Sequence, residues 1–272
     1  IQTEPFVINT NSDFKRAETE TKTSTTSFNG SYRPFFSSNL NYNKKLNNIG
    51  GQMFLGGQYS GFTRGLISKI YNNYDQTEFQ LAEDRSQDYH IDAVSGRIDF
   101  EKMIHGIKWE TGTNISRAKA QAISTVQDSS LINSRSDFNY NEGNNAVYTQ
   151  FSGNINKFKY SAGIRLEYTT IQAGFKNSSL LLDKNYKQLF PKANLIIPFD
   201  SSKNLTLNYS RSIARPNYST ANQITTYINP FFEWANNVNL EPSTIDEISV
   251  NFQYKENSIQ ITGYQQKEPV FF

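Results

Sequence analysis

The chain of 272 residues contains no cysteine and only two histidines, His90 and His105. The lack of cysteine excludes a disulfide scaffold, a thiolate metal site and cysteine-based catalysis. The two histidines lack the HxH and HExxH spacing of zinc sites, so we expect neither a metal nor another cofactor. Signatures such as the P-loop, GxGxxG and GxSxG are also absent. The sequence therefore indicates no enzyme.

Long apolar runs, charged blocks and a strong net charge are missing as well. The longest apolar cluster, at 195–197, ends at Pro198, whereas a transmembrane helix needs about 20 apolar residues. The formal net charge is +2 with no basic block, which argues against nucleic acid as a partner. The opening residues, IQTEPFVINT, have no basic start followed by an apolar core. If the protein is exported, we therefore expect the chain to be either its mature form or a fragment of it.

Aromatic residues and asparagine, by contrast, are abundant. Aromatics make up 14% of the chain, and they favour strands and membrane interfaces. Asparagine occurs 31 times, and it disfavours helices while suiting turns and solvated loops. The mean hydropathy of -0.63 is that of a soluble chain. It does not argue against a membrane barrel, because only alternate residues of a barrel strand face lipid.

The clearest pattern lies in residues 146–172, where apolar and polar side chains alternate on both sides of a short turn. Side chains alternate across a strand, so Ile164 and Leu166 fall on one face. Arg165 and Glu167 then fall on the other face. We expect the apolar face to contact lipid and the polar face to line the interior.

This hairpin pattern recurs along the chain. The short turns predicted at one end are 46–49, 103–106, 156–158, 199–204 and 255–258. The longer polar loops predicted at the other end are 62–89, 116–145, 173–188 and 214–244. Residues 1–30 are weakly patterned and form either a loop or the protruding part of another strand.

Short turns at one end and long loops at the other are typical of a transmembrane outer-membrane β-barrel. We therefore predict an all-β, antiparallel transmembrane outer-membrane β-barrel segment over residues 1–272, with about ten strands and no plug or soluble domain. A soluble antiparallel β protein that binds a ligand on its polar face is an alternative interpretation.

Charged side chains on the polar faces of the predicted strands form a ladder. Neighbouring charged residues in this ladder would also suit acid–base catalysis. A ladder of charges that lines a water-filled lumen is the simpler interpretation, and we predict that these residues line a lumen. The predicted lumen-lining residues are Arg97, Asp99, Glu101, Glu110, Arg165 and Glu167.

The loop 214–244 contains a cluster of aromatic and amide side chains. Aromatic faces with amide groups suit the binding of sugars, peptides or a partner lipoprotein. The alternative is an aromatic girdle at the outer interface together with ordinary loop packing. The candidate ligand-contact residues are Tyr227, Phe231, Phe232, Trp234 and Asn236.

The C-terminal third carries several short motifs in a fixed order. They are LFP at 189–191, YSR at 209–211, RP at 215–216, NP at 229–230 and NLEP at 239–242. Their order resembles the barrel of TonB-dependent receptors, in particular the outer membrane protein β-barrel family. In that family an LFPS strand is followed by a YSR…RP strand, an NP loop and an NP-L-PE segment. The hairpin at 146–172 is similar to a hairpin of the same family.

The resemblance implies a barrel of about 22 strands in the cell outer membrane, with further strands and a plug outside this chain. It also implies nutrient uptake, with an oligosaccharide, a peptide or a metal chelate as substrate. The implied partners are outer-membrane lipid, a TonB-type energy-coupling complex acting through the plug, and a surface lipoprotein. Two alternatives remain open: a non-transporting barrel that acts as a scaffold in a surface complex, and a small autonomous porin.

Overall fold

A computed structural model describes residues 4–16, 19–47, 50–75, 78–130, 133–176, 181–216, 225–235, 237 and 239–267. These residues form fourteen β-strands, and none of them belongs to a helix that is long and apolar enough to cross a bilayer. The strands are β1 (Glu4–Arg16), β2 (Thr19–Tyr32), β3 (Phe35–Leu46), β4 (Gly51–Tyr74), β5 (Gln80–Ile104), β6 (Ile107–Asp128), β7 (Asn133–Ile155), β8 (Phe158–Phe175), β9 (Leu182–Asp200), β10 (Lys203–Ala214), β11 (Thr225–Asn229), β12 (Phe232–Ala235), β13 (Ser243–Tyr254) and β14 (Asn257–Lys267).

Twelve of the strands form one antiparallel sheet, and β11 and β12 form a separate hairpin. In the large sheet β4 pairs with β3 along its first half and with β2 along its second half. Between β2 and β3 lies Pro34, which has no N–H group to donate to a ladder. β1 pairs with β2 alone. Residues 4–16 and 19–32 are thus two paired strands, which excludes a loop for this region and agrees with the strand alternative, although there are two strands and not one.

The connections β3–β4, β5–β6, β7–β8, β9–β10 and β13–β14 lie at one end of the sheet, as predicted, because consecutive strands pair antiparallel. This is the turn end, and the opposite end is the loop end. His105 and Gly106 join β5 to β6 with φ values of 48° and 82°. Positive φ at both residues is the backbone of a type I′ turn, whose twist matches that of the flanking strands.

The turns are staggered from one hairpin to the next. Gly51 begins β4 and pairs with Lys102, and β5 continues beyond that pair to Ile104. Likewise Lys108 near the start of β6 pairs with Ser152, and β7 continues to Ile155. A regular stagger of this kind tilts the strands, as the closure of a barrel requires.

The face of the sheet that carries Ile164 is called the outer face. The opposite face, on which Arg215 and the hairpin of β11 and β12 pack, is the inner face. An apolar band crosses the outer face, where Leu207 pairs with Leu195 and with Val250. The registers place the predicted lipid-facing residues Ile164 and Leu166 on this face, and Leu205, Leu207, Val250 and Phe252 share it.

Aromatic rings border the apolar band on both sides. Towards the turn end Trp109 contacts Phe100 and Phe151, with ring centroids 5.9 and 6.4 Å apart. Towards the loop end Tyr168 and Tyr209 lie on the same outer face. An outward apolar band of about 25 Å flanked by aromatic girdles is the pattern of strands that span an outer membrane.

The described residues also form a buried apolar cluster on the inner face towards the loop end. Its central ring, Phe138, is only 1% exposed and meets Phe175 edge to face at a centroid distance of 5.4 Å. Apolar side chains have therefore moved from the outer face to the inner face along the same strands. The cluster contains Ala122, Phe138, Tyr140, Ile171, Ala173 and Leu182.

Three of the four predicted long loops are wrong. Most of 62–89, 116–145 and 173–188 is strand, since β4 continues to Tyr74 and β5 begins at Gln80. Their apolar residues lie on the other face, so the alternation seen in the membrane-level parts breaks, although the ladder of backbone hydrogen bonds continues. Only 214–244 is a long connection.

The sheet is open. Within the described chain β3 pairs only with β4 and β14 only with β13, and every side chain of β14 is exposed. Unpaired backbone groups at such edges are not tolerated in lipid. The sheet therefore has the form of part of a larger barrel.

Candidate functional site

The six charged residues predicted to line a lumen all lie on the inner face. The registers place Asp99 opposite Gly112, Arg165 opposite Tyr148, and Glu167 opposite Ala146. Arg97, Glu101 and Glu110 share this face by the period-two alternation of their strands. Their contact with a water-filled lumen stays a prediction.

Near the turn end a lysine holds two glutamates together. Glu101 and Glu110 lie directly opposite each other on β5 and β6, an arrangement that is destabilising for like charges. Lys108 Nζ lies 2.9 Å from Glu101 and 3.0 Å from Glu110. The amide of Gln150 also donates to Glu110 at 3.1 Å. The two carboxylates therefore serve an ion-pair ladder.

Further along the inner face, Tyr148 is clasped across three strands. Asp99, Gly112 and Tyr148 are register partners on β5, β6 and β7. The tyrosine ring lies over Gly112, and its hydroxyl donates to Asp99. Arg97 Nε lies 2.6 Å from Asp99 and 3.2 Å from the Tyr148 hydroxyl. A Cβ at Gly112 would lie 2.6 Å from that hydroxyl, so the clasp requires glycine.

Glu167 is the centre of a buried polar network. It is 6% exposed and receives Arg165 Nε at 2.6 Å, Arg215 Nη2 at 2.6 Å and Asn144 Nδ2 at 2.9 Å. Arg215 Nε also lies 3.7 Å from Glu142. A buried carboxylate is tolerated when it is paired and hydrogen-bonded. Since both oxygens of Glu167 are engaged, the network is structural and ties the loop after β10 to the wall.

The hairpin of β11 and β12 crosses the inner face and docks on the first strands of the sheet. Arg85 and Gln87, both nearly fully buried, donate to the carbonyl of Thr225, Gln87 at 3.4 Å. Asn72 Nδ2 donates to the Tyr227 hydroxyl at 2.6 Å. Burial raises the pKa of the Tyr227 phenol, so this group stays a neutral hydrogen-bonding partner.

The tip of this hairpin is anchored on β1. Asn229 Nδ2 donates to Ser12 Oγ at 3.0 Å. Phe231 stacks on Phe14 with the centroids 4.5 Å apart and the rings 10° from parallel. Farther along the loop, Glu241 forms an ion pair with Lys184 of β9. The loop is thus fixed at its start, at its tip and near its end.

These contacts divide the predicted ligand-contact residues. Tyr227 and Phe231 are engaged with the wall, whereas Phe232 and Trp234 are each 52% exposed. Asn236 lies outside the described residues. A ligand-binding role for any of the five stays a prediction, and Phe232 and Trp234 are the two whose rings are open to a ligand.

Sequence reasoning missed the inward position of Arg215. Tyr209 and Arg211 lie on the outer face, where the Arg211 guanidinium pairs with Asp246 at 2.8 and 2.9 Å. Continued alternation would place Arg215 beside them, but β10 ends at Ala214 and the chain turns inward. The arginine-proline motif of the family resemblance includes Arg215. The alternation of the strand could not show that its side chain lies on the inner face.

Groups of three or more metal-ligating side chains are absent from the part of the chain that the structure describes. The family model for the outer membrane protein beta-barrel family matches residues 44–270. The chain belongs to this family. The family and the girdled apolar band place the chain in the cell outer membrane. No curated protein matches the chain.

Several solved structures superpose on the chain at low identity. The copper transporter OprC superposes with a TM-score of 0.53 and 9% identity, covering 97% of this chain and 53% of OprC. The ferric yersiniabactin uptake receptor FyuA from Yersinia pestis gives 0.48 and 8%, covering 96% of this chain and 48% of FyuA. The ferric citrate transporter FecA gives 0.46 and 13%, covering 96% and 45%. The chain thus spans about half the length of these proteins.

Proposed function

We propose that this chain is the barrel portion of a TonB-dependent outer-membrane receptor that takes up a nutrient. The observation that carries the proposal is that the described parts of the loop between β10 and β13 lie on the polar inner face. Arg215 joins it to Glu167 on β8 at 2.6 Å, and Tyr227 joins it to Asn72 on β4 at 2.6 Å. A loop held on the inner face of the sheet would narrow the lumen of the barrel and bring a solute into contact with the side chains of the loop.

The substrate classes that suit this loop are an oligosaccharide, a peptide or a metal chelate. Phe232 and Trp234 offer exposed rings that stack on sugars or on apolar side chains. Uptake against a gradient needs an energy source. We therefore assign the remaining roles to a plug outside this chain, to a TonB-type energy-coupling complex acting on that plug, and to a surface lipoprotein that assists capture.

The test is growth of a strain that lacks the complete gene, on one limiting nutrient of each class in turn. The proposal expects one nutrient whose use is lost on deletion, restored by the wild-type gene and lost again without the energy-coupling protein. Complementation with Phe232→Ala plus Trp234→Ala should raise the nutrient concentration that supports half-maximal growth. Equal growth of the deletion strain on all classes would favour the scaffold alternative.

A small autonomous porin is disfavoured by the open sheet, because β3 and β14 each leave one edge unpaired in the described chain. An energy-independent nutrient flux that survives loss of the coupling protein would restore that alternative.

A further inference from the structure

A cleft of about 560 Å³ lies along β5–β10 and is rich in cationic side chains. Arg97, Arg165, Lys192 and Arg211 border it, against a single acid, Glu110. Arg211 is already bound through two nitrogens to Asp246 on the outer face. The other three cations lie on the inner face. Arg97 and Arg165 are paired there through Nε with Asp99 and Glu167, whereas Lys192 has no ion pair with a described residue.

These three cations keep most of their donors free. Arg97 and Arg165 form their hydrogen bonds to described residues through Nε alone. With respect to the residues that the structure describes, the terminal nitrogens of both guanidinium groups are therefore available. Lys192 forms no hydrogen bond or ion pair with any residue in the described ranges. Glu110, the acid of the cleft, is occupied by Lys108 and Gln150.

Two glycines and a tyrosine shape the cleft. Tyr148 lies over Gly112, with Arg97 and Arg165 at 6.0 and 5.8 Å from its ring centroid. The Lys192 side chain lies over Gly163, where an added Cβ would be 3.2 Å from Lys192 Cε. The absence of a side chain at Gly163 lets the ammonium stem lean towards Gln150, its neighbour on β7.

We propose that this cleft binds an oxyanion, a carboxylate or phosphate group of a small solute. A guanidinium group donates paired N–H groups whose geometry fits the two oxygens of such an anion, and an ammonium adds a point charge. Arg97 and Arg165 supply the forks on either side of Tyr148, and Lys192 supplies the ammonium. The binding does not require transport, so it stands or fails independently of the uptake proposal.

The competing occupant is a set of acidic side chains from another part of the complete protein. A small solute is favoured because a cleft of this volume, with a tyrosine at its centre, suits a compact ligand.

The test is calorimetric titration of the complete protein in detergent at low ionic strength with citrate, glucose 6-phosphate and, as the uncharged control, glucose. Citrate or glucose 6-phosphate should bind and glucose should not. Lys192→Gln, which removes no hydrogen bond or ion pair with a described residue, should weaken anion binding about tenfold. The matched control is Lys187→Gln, which removes the same charge from the outer face of the same strand and should change the affinity by less than about twofold.

A second variant keeps every charge. Gly163→Ala should displace the Lys192 side chain and also weaken anion binding. Non-specific electrostatic attraction by the charges of the sheet would not be affected by this uncharged substitution. The proposal is overturned if neither anion binds at millimolar concentration, or if Lys192→Gln and Lys187→Gln weaken binding equally. It is also overturned if Lys192→Gln lowers the melting temperature without anion and leaves anion binding unchanged, since an acidic segment then occupies the cleft.

Discussion

The two halves of the long strands β7 and β8 carry their apolar side chains on opposite faces. Near the turn end Val147 and Leu166 lie on the outer face. Towards the loop end Tyr140 and Ala173 are paired on the inner face and are almost fully buried. The outer face there carries polar residues such as Gln172. One continuous ladder of backbone hydrogen bonds thus serves two different solvents.

The difference shows where the bilayer stops. At membrane level the outer side chains face lipid and the inner ones face water, so apolar residues point outwards. Above that level both faces are outside lipid, and the hydrophobic effect favours burial against the loop and neighbouring strands. The switch on β8 falls between Leu166 and Ile171, around the tyrosine border at Tyr168.

The strongest test of this comparison is a pair of truncations on β7. Phe138→Ala should destabilise the protein by about 3–5 kcal/mol, because it leaves a cavity in the inner cluster. Phe151→Ala, on the outer face of the same strand, should cost less, about 2 kcal/mol, because lipid fills the space and only the transfer of the ring out of water is lost. Urea unfolding of the complete protein from lipid vesicles measures both values. Equal costs would contradict the assignment of two solvents.

A charge scan along β8 tests the same boundary. Ile164 lies midway between Tyr160 and Tyr168 on the outer face, so Ile164→Arg should cost about 2–4 kcal/mol. Gln172→Arg adds the same charge to the same face beyond the border and should cost about 0–1 kcal/mol. The measurement is folding into bilayers of defined thickness. If Gln172→Arg were the more damaging change, the membrane level would be misplaced.

A third pair compares how tightly the two faces are packed at membrane level. Gly112→Ala on the inner face should cost about 1–3 kcal/mol, because the new Cβ would lie 2.6 Å from both the Ile98 carbonyl and the Tyr148 hydroxyl. Gly96→Ala on the outer face meets nothing within 4 Å and should be nearly neutral. The same unfolding assay reports both, and a neutral Gly112→Ala would mean that the tyrosine clasp yields easily.

Much of this fold could be predicted from the sequence, because period-two alternation is strong wherever one face meets lipid. The turns, the lipid-facing set and the all-β class followed from residues such as Ile164 and Leu166. The strands above the membrane could not be recognised, since the change of face between Leu166 and Ile171 breaks the alternation. A local pattern gives no indication that hydrogen-bonded pairing continues through such a change.

The candidate site was predictable only in part, for a related reason. The alternation of side chains along each strand, which is a local property, predicted that Arg97, Asp99 and Glu167 share one face. The partner of Glu167, Arg215, lies far away in sequence and reaches it only because the chain turns inward after β10. The packing of Phe231 on Phe14 joins residues from opposite ends of the chain. Contacts of this kind depend on the curvature of the sheet and the path of the loop. The alternation of side chains along a strand does not predict either of these.

The smallest expected effect concerns the loop between β10 and β13. Arg215→Gln should cost only about 1 kcal/mol, since Glu167 keeps Arg165 and Asn144 as partners and its charge is not left alone. The effect should be local, because the wall contacts of Tyr227 remain. Amide hydrogen exchange in β11 should accelerate about fivefold while exchange in the strands of the sheet stays unchanged.

The matched control is Lys184→Gln, which removes the exposed ion pair with Glu241 at the far end of the same loop. Exposed pairs contribute little, so exchange in β11 should change by less than about twofold. The double variant Arg215→Gln with Glu167→Gln should be less destabilising than the sum of the single changes, because both remove one shared contact. Strict additivity, or unchanged exchange in Arg215→Gln, would mean that the contacts of the hairpin itself, such as those of Tyr227 and Phe231, hold it on the inner face without help from Arg215.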